Sequence, residues 1–345
     1  MPVRKMDRSV LLAWLAMNEA RVQAKLESAP SGLRVGLMVG TSRGSIGKLQ
    51  EGFTRLHSQR YRPSLATDCT IASISGALAQ RFGATGPCAT ISATCASAAY
   101  AIGFAAEQLA LGKADVMLVG GAEAPLVPDL IVQMHAARLL GSHLNPACTC
   151  RPFDVTRNGL CLGEASAFLV LESHQSARAR RVSPLARLAG WGMAVDHSGR
   201  AGVQEDGSGL LNAAGQALLL ANLDAPQIDY LNTHGTGTML NDRVEAAVLA
   251  RLLGPHAPST PCTSTKPVTG HCLGATPALE AVICIAALQH QLVPPTANCF
   301  AKDPAFAIDV VPHTARAAIL RHVMSNSLGF WGYHASLIFS TIDSG

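Results

Sequence analysis

The sequence predicts an α/β protein made of two similar halves, and three observations lead to that fold class. Short apolar runs of strand-like composition alternate with longer segments that carry apolar residues at helical spacing. Residues 114–121 form a continuous apolar run, which is typical of a strand covered on both faces of its sheet. From about Gly207 the same order of elements starts again. We therefore divide the chain into a first half, residues 1–180, and a second half, residues 181–345.

Each half contains its own series of helices and strands. In the first half we predict helices at residues 9–26, 70–82 and 96–111, and strands at residues 33–40, 87–91, 114–121 and 165–171. In the second half we predict helices at residues 210–220, 242–253 and 278–289, and strands at residues 185–194, 228–232, 261–264, near 318–324 and 335–339. With 48% hydrophobic and 14% charged residues over 345 positions, the chain is able to bury a large core.

Composition excludes several classes of function. No apolar run is long enough to span a bilayer and residues 1–7 lack the apolar core of a secretory signal, so we expect a cytoplasmic protein without membrane contact. Cys148 and Cys150 are separated by one residue and no C-x-x-C pair occurs, so we expect no metal site. We also expect no cofactor. The net charge of +4 comes without an aromatic stacking platform, which favours an acidic protein partner or a merely solvated surface over nucleic acid.

A single cysteine lies between an apolar strand and a helix of small residues. Residues 87–91 are short and apolar, and residues 96–111 carry Ala, Ile, Phe and Leu at helical spacing, so Cys95 stands at a helix start. Unpaired backbone N–H groups and the positive end of the helix dipole favour a thiolate there, and the thiolate is the form that attacks a carbonyl carbon. Taken alone, the same pattern also fits a small structural cysteine packed under a helix.

Two histidines follow strands of the second half. His234 comes after strand 228–232 in a Gly-Thr-Gly-Thr loop, and His271 ends a loop that leaves strand 261–264. The glycines of the first loop let the backbone turn sharply and approach a bound group. One such histidine is more often a satisfied polar residue than a catalyst, but two in similar loops accompany a candidate nucleophile here. We therefore predict that both take part in the chemistry.

Residues 325–334 form a further candidate loop near the end of the chain. Its glycines would let a backbone N–H point toward an oxyanion, and with the N–H of Cys95 it would form the two-donor hole that acyl transfer requires. A glycine-rich hairpin between the last two strands is the alternative interpretation.

These motifs together resemble the ordered signature of the β-ketoacyl-acyl carrier protein synthases. The resemblance rests on residues 94–97, on 234–238 with Asn241, Asp242 and Glu245, on Lys266 with 269–271, on 325–327 with Gly329 and Phe330, and on the stretches 120–123 and 151–164. It runs from about Arg4 to the C-terminus. It implies a thiolase fold, in which two similar halves each contribute a sheet to a five-layered α/β/α/β/α sandwich, usually as a dimer.

The resemblance also implies a reaction. Cys95 would take an acyl group from a carrier-protein thioester, and a malonyl-carrier thioester would lose carbon dioxide to give the carbanion that attacks the acyl-cysteine. His234 and His271 match the pair that hydrogen-bonds the malonyl thioester carbonyl and stabilises the enolate. Lys266 and Glu280 match positions that support the second histidine and the local charge balance.

The remaining residues implied by the resemblance concern access and partners. Phe330 matches both the second oxyanion-hole N–H and a gating aromatic whose loop moves for malonyl entry. Arg4, Lys5 and Arg138 fall where related enzymes place basic residues that meet the acidic carrier protein, although a solvated basic surface explains any one of them equally well. The implied partners are acyl- and malonyl-loaded acyl carrier protein and a second chain, either an identical copy or an unlike ketosynthase-like subunit.

The sequence departs from the family's pattern in three respects. By the family's pattern it begins late, without the usual first strand and helix. Either these elements are missing, which would expose a sheet edge for a partner chain to cover, or the reading frame is truncated. The glycine that usually follows Phe330 is Trp331, and the usual Thr-Asn pair is Tyr333-His334, so we expect a bulkier, less free gating loop. Arg43 stands where relatives more often have an apolar residue near the acyl pocket, which fits a polar or unusual acyl chain.

Three functions are compatible with these features. The leading one is a decarboxylating condensing enzyme of fatty-acid synthesis or of a specialised polyketide or polyene pathway. A non-catalytic, chain-length-determining subunit of a heterodimer is the alternative, but such subunits generally lack the cysteine, so Cys95, His234 and His271 speak against it. A thiolase that acts without decarboxylation is a third candidate, and thiolases place a second cysteine where this chain has none.

Overall fold

The computed structural model of the chain describes residues 6–28, 32–58, 62–197, 199 and 203–342. The chain forms two compact units, each made of several segments. The first unit consists of Met1–Val132, Gly163–Pro184 and Cys272–Leu279, and the second of Gln133–Leu162, Leu185–His271 and Glu280–Gly345. The division of the sequence at residue 180 stays a prediction.

Helices and strands alternate along the described residues. The helices are α1 Arg8–Gln23, α2 Ile46–Ser58, α3 Leu65–Asp68, α4 Ser73–Phe82, α5 Ser97–Ala110, α6 Pro128–Ala136, α7 His174–Ala179, α8 Ser208–Ala221, α9 Met239–Leu253, α10 Lys266–Thr269 and α11 Thr276–His290. The strands are β1 Val35–Gly40, β2 Cys88–Ile91, β3 Val116–Glu123, β4 Ala165–Glu172, β5 Arg187–Val195, β6 Tyr230–Asn232, β7 Pro261–Thr263, β8 Leu292–Val293, β9 Asp309–Val310, β10 Arg316–Ala317, β11 His322–Gly329 and β12 Tyr333–Ser340.

A four-stranded sheet in the order β2-β1-β3-β4 organises the first unit. β1 is parallel to β2 and β3, and β4 is antiparallel to β3. One face of the sheet packs on α1 and α4 through an apolar cluster that includes Met17, Leu37 and Leu118. On the other face, a Cβ atom at Gly40 would lie 2.4 Å from the Ala98 Cα, so glycine is needed where α5 meets the end of β1. The start of α5 is therefore held close against the carboxyl end of the sheet.

A six-stranded sheet in the order β5-β12-β11-β6-β7-β9 organises the second unit. β11, β6, β7 and β9 are mutually parallel, whereas β12 is antiparallel to both β11 and β5. α8 packs closely on β5, since a Cβ atom at Gly192 would lie 2.0 Å from the Ala213 carbonyl oxygen. Leu231, Leu249 and Met324 belong to the buried core that joins this sheet to its helices. The parallel strands β6 and β7 end side by side, and the two histidine loops leave from those ends.

Several elements differ from their sequence-based prediction, because the short helices α3, α7 and α10, the helices α2 and α6, and the two-residue strands β8, β9 and β10 were not predicted. The strand predicted near residues 318–324 lies further along the chain, as β11, His322–Gly329. It extends through the polar residues 325–327, which are buried in the sheet where β11 pairs with β12. The Ser336 hydroxyl donates to Asn326 Oδ1 at 2.7 Å across that strand pair, which satisfies polar groups inside the sheet. Helix α2 was not predicted, although Ser45, a residue type common at helix N-caps, directly precedes it.

One stretch of the described residues, Leu273–His290, is long and apolar enough to cross a bilayer by length and composition alone. Of this stretch, 61% is buried inside the structure, as in a core helix that packs on its neighbours.

Candidate active site

Cys95 lies in the first unit, on the turn that joins β2 to α5. Thr94 has a φ of +50°, in the left-handed region that non-glycine residues seldom adopt. The Ser97 hydroxyl closes the turn, because it accepts from the Ala93 N–H at 2.9 Å and donates to the Thr94 carbonyl at 2.6 Å. Ala96 is the N-cap of α5 and has no side-chain oxygen for the first helical N–H groups. The turn therefore presents a buried thiol, 6% exposed, at the positive end of a 14-residue helix.

His234 lies in the second unit, in the loop between β6 and α9. Two carboxylates of α9 fix this loop through its backbone. Glu245 accepts from the His234 N–H at 2.7 Å and from the Gly235 N–H at 2.8 Å, and Asp242 Oδ1 accepts from the Thr236 N–H at 3.1 Å. Burial raises the pKa of Glu245 to about 7. The loop conformation is thus set by two buried acidic side chains of α9.

His271 lies in the same unit, after α10. Its backbone N–H donates to the Cys161 carbonyl at 2.7 Å, and Gly270 turns the chain with a φ of +70°. The His271 and His234 rings meet edge to face, with centroids 5.2 Å apart and ring planes at 85°. The structure therefore brings together the two histidines that the sequence predicted as partners.

Burial determines the protonation state of both rings. His234 is 4% exposed and His271 is 2% exposed. Burial, and then the charge of Lys266, lower the pKa of each imidazole well below 6.5, and the neighbouring His271 lowers that of His234 further. Both rings are therefore neutral near pH 7, so each has one N–H to donate.

Lys266 and Glu280 form a buried ion pair next to the histidines. Lys266 Nζ donates to Glu280 Oε1 at 2.6 Å, and both side chains are 1% exposed. Burial raises the pKa of Glu280 to about 7, against the opposing effect of the Lys266 charge. Lys266 begins α10 and Glu280 lies on α11, so the pair ties together the two helices that flank His271.

We expect Lys266→Met to lower the free energy of unfolding by about 3–5 kcal/mol, because it leaves Glu280 buried without its cation. The loss should grow as the pH rises above about 7. Lys266 lowers the folded-state pKa of Glu280, so without it the ionisation of the buried carboxyl group favours unfolding more strongly. Urea denaturation measures both effects. Arg8→Met, which breaks the exposed Arg8–Glu164 pair, is the matched control and should cost less than about 1 kcal/mol. A loss no larger than the control's would contradict a structural role for the buried pair.

Phe330 begins the short turn between β11 and β12. The strands pair up to Gly329 and Tyr333, so the turn itself is only Phe330–Gly332. Trp331 has a φ of +64° and is 55% exposed, which places the indole at the surface. The bulky Trp331 side chain, which the sequence analysis expects to crowd the gating loop, therefore lies on the outside of the turn.

His334 lies buried beneath that turn and pairs with Asp196, which follows β5 directly. His334 Nε2 and Asp196 Oδ2 are 2.7 Å apart, with side chains 0% and 1% exposed. The Asp196 N–H donates to the Gly332 carbonyl at 2.9 Å, and a Cβ atom at Gly332 would lie 2.3 Å from Asp196 Oδ1. The pair therefore anchors the turn to β5. Sequence reasoning missed Asp196, whose only signal is a carboxylate placed directly after a strand.

Of the three residues proposed for carrier contact, the structure describes only Arg138. Arg138 is exposed and follows α6 with a φ of +56°. Arg4 and Lys5 lie outside the described residues. Arg43 is exposed, and its backbone N–H donates to the buried Glu123.

Comparison with known proteins identifies the family. Residues 2–177 match the family model "Beta-ketoacyl synthase, N-terminal domain", and residues 185–300 match "Beta-ketoacyl synthase, C-terminal domain". A Streptomyces halstedii protein named as a polyketide beta-ketoacyl synthase 1 is 38% identical over 349 residues, covering 98% of this chain and 83% of that protein.

Two solved structures are similar over nearly the whole chain. One is a type II PKS acyl-carrier protein in complex with its ketosynthase bound to the hexaketide, with a TM-score of 0.93 and 28% identity over 97% of this chain and 85% of that one. The other is the ishigamide ketosynthase/chain length factor, with a TM-score of 0.92 and 30% identity over 99% and 84% of the two chains.

The chain belongs to the β-ketoacyl synthase family and is a condensing enzyme of the acyltransferase type. Its fold is the thiolase fold of the ketosynthases, so the fold class inferred from the sequence is confirmed.

Proposed function

We propose that this enzyme catalyses a decarboxylating Claisen condensation, in which an acyl group on Cys95 reacts with malonyl-acyl carrier protein to give 3-oxoacyl-acyl carrier protein. The observation that carries the proposal is the pair of buried, neutral imidazoles of His234 and His271, with ring centroids 5.2 Å apart. Two neutral N–H donors in a site without bulk water stabilise an oxyanion that forms only in the transition state.

In the first half-reaction, the Cys95 thiolate attacks the carbonyl carbon of the acyl-carrier thioester. A carbon–sulfur bond forms to Cys95, the carbon–sulfur bond between the acyl group and the carrier breaks, and the carrier leaves as a thiolate that takes up a proton from solvent. The tetrahedral oxyanion accepts hydrogen bonds from the backbone N–H groups of Cys95 and Phe330. The helix start at Cys95 supports this role, because it favours negative charge on the sulfur and near the Cys95 N–H.

In the second half-reaction, the malonyl thioester loses its carboxylate as carbon dioxide. The electron pair of the breaking carbon–carbon bond moves into the thioester, whose oxygen becomes an enolate held by the N–H donors of His234 and His271. The enolate carbon then attacks the acyl group on Cys95, the new carbon–carbon bond forms, and the cysteine sulfur leaves as thiolate. Lys266 and Glu280 keep the His271 segment in place through their buried ion pair.

Acyl carrier protein, in acyl- and malonyl-loaded form, is the proposed partner, with Arg4, Lys5 and Arg138 at its docking surface. A similar ketosynthase is described in complex with its acyl-carrier protein, and another together with a chain length factor. The first relative supports a polyketide pathway, and the second supports pairing with an unlike chain. A dimer of like chains and a fatty-acid or polyene pathway remain the alternatives. We place the enzyme in the cytoplasm.

Product formation on the carrier tests the proposed function. Purified protein is incubated with acyl- and malonyl-loaded carrier protein, alone and with a co-expressed ketosynthase-like partner, and the carrier arm is analysed by mass spectrometry together with released carbon dioxide. We expect a 3-oxoacyl arm and one carbon dioxide for each product. A folded complex that releases no carbon dioxide and forms no 3-oxoacyl arm would favour the non-catalytic, chain-length-determining role.

A further inference from the structure

Glu123 is a buried carboxyl group of the first unit that the proposed mechanism does not use. It is the last residue of β3 and is fully buried. Its Oε1 atom accepts from the Thr41 hydroxyl at 2.6 Å, from the Arg43 N–H at 2.9 Å, and from the N–H and hydroxyl groups of Ser42. Its Oε2 atom is buried and has no hydrogen-bond partner among the described residues. A carboxyl group so placed holds the backbone of residues 41–43 in one conformation.

The segment that Glu123 holds lies against the turn that carries Cys95. A Cβ atom at Gly274 would lie 2.5 Å from the Ser42 nitrogen and 3.1 Å from the Ser97 Oγ atom, so only a glycine fits between the loop and Ser97. Ser97 is the residue whose hydroxyl closes the turn at Thr94. A path of direct packing therefore runs from Glu123 through Ser42 and Gly274 to the nucleophilic turn.

Gly40, the residue before Thr41, makes a second contact with the start of α5. A Cβ atom at Gly40 would lie 2.4 Å from the Ala98 nitrogen and 2.6 Å from the Ser97 carbonyl carbon. Gly40 directly precedes Thr41, the residue whose hydroxyl donates to Glu123. Residues 41–43 therefore contact the start of α5 in two ways, through Gly274 and through the adjacent Gly40.

The turn needs such support because its conformation is strained. A non-glycine residue in the left-handed region, such as Thr94, is disfavoured and persists only where the surrounding structure fixes it. The direction of the Cys95 N–H and sulfur depends on that turn.

We propose that Glu123 is a positioning residue for the nucleophile: by fixing residues 41–43, its carboxylate holds Gly274 and Ser97 against the Thr94-Cys95 turn and keeps the Cys95 sulfur and N–H oriented for acyl transfer. This inference rests on the proposed role of Cys95. It assigns Glu123 to the acylation step alone, since every contact on the path belongs to the first unit.

The test compares Glu123→Ala and Glu123→Gln with wild type. The first readout is the rate of iodoacetamide alkylation at the Cys95 peptide as a function of pH, which needs neither carrier nor malonyl substrate. The second is the ratio of acyl loading to malonyl decarboxylation. We expect Glu123→Ala to slow alkylation and acyl loading about ten- to a hundredfold while decarboxylation stays within about twofold. Glu123→Gln should recover most of the loss, because its amide oxygen accepts the same donors.

Glu172→Ala is the matched control, since Glu172 ends the neighbouring strand β4 at the other end of the sheet, where it pairs with Val116 instead of Glu123. It should leave the Cys95 alkylation rate unchanged. Thermal denaturation establishes that each variant is folded, and Thr41→Val, which removes one donor to Glu123, replaces Glu123→Ala if that variant does not fold. Alkylation at the wild-type rate, or an equal loss of acylation and decarboxylation, would overturn the proposal. Because alkylation is independent of catalysis, failure of the proposed condensation would be recognised separately.

Discussion

Cys95→Ser is expected to abolish acyl loading and condensation while malonyl decarboxylation persists. The hydroxyl is a far weaker nucleophile than a thiolate at a helix start, so acyl transfer should fall by at least about 10³-fold. Decarboxylation needs only the N–H donors of His234 and His271 and does not form a bond to Cys95. Loading is measured by intact-protein mass spectrometry after mixing with acyl-carrier protein, and decarboxylation by conversion of malonyl- to acetyl-carrier protein.

Cys88→Ser is the control for this variant, because Cys88 is an exposed free thiol of the same unit, on the strand that precedes the turn. It should load acyl groups at the wild-type rate. If Cys95→Ser still formed the 3-oxoacyl product, Cys95 would be the structural cysteine that its burial also permits.

His271→Ala is expected to give the opposite result: acyl loading of Cys95 continues, and malonyl decarboxylation falls by about 10²–10³-fold. Removal of one preorganised oxyanion donor in a buried site has an effect of that size. The neutral His234 ring remains, so residual activity should exceed that of a double variant. Single-turnover assays of each half-reaction separate the two effects.

His322→Ala provides the comparison for that variant, since His322 lies on β11 of the same unit and pairs with Ser340. It should leave both half-reactions intact. Normal decarboxylation by His271→Ala would show that the edge-to-face histidine pair is not the enolate site.

His271→Ala also tests the protonation state of the His271 ring. Burial lowers the folded-state pKa of His271 well below 6.5, so its contribution to stability is present above about pH 6.5 and is lost as the pH falls through that value. The free energy of unfolding of the wild type should therefore decrease below about pH 6.5, and more steeply than that of His271→Ala. An equal slope would mean that His271 is accessible to protons in the folded state.

The parts of the site that could be predicted from the sequence are those encoded locally. Cys95 and the histidine loops follow apolar strand runs directly, so the position of each at a strand end could be read from a few neighbouring residues. The order of the motifs then identified the family.

The parts that could not be predicted depend on contacts between distant residues. Asp196 meets His334 across 138 positions, and Glu123 meets Thr41 across 82, so no local pattern reveals either contact. The polar start of the final hairpin around Asn326 was predicted as a loop, because its burial depends on pairing with β12. Hydrophobic periodicity reports which residues are apolar, and it does not report which polar residues find a buried partner.

The most direct measurement is to trap the acyl-enzyme. Wild-type protein is incubated with acyl-carrier protein in the absence of malonyl substrate and digested, and the peptides are analysed by mass spectrometry. We predict the acyl mass on the peptide that contains Cys95, and its disappearance with formation of the 3-oxoacyl carrier when malonyl-carrier protein is added. An acyl group on another residue, or a loaded Cys95 that malonyl-carrier protein does not discharge, would contradict the proposed condensation.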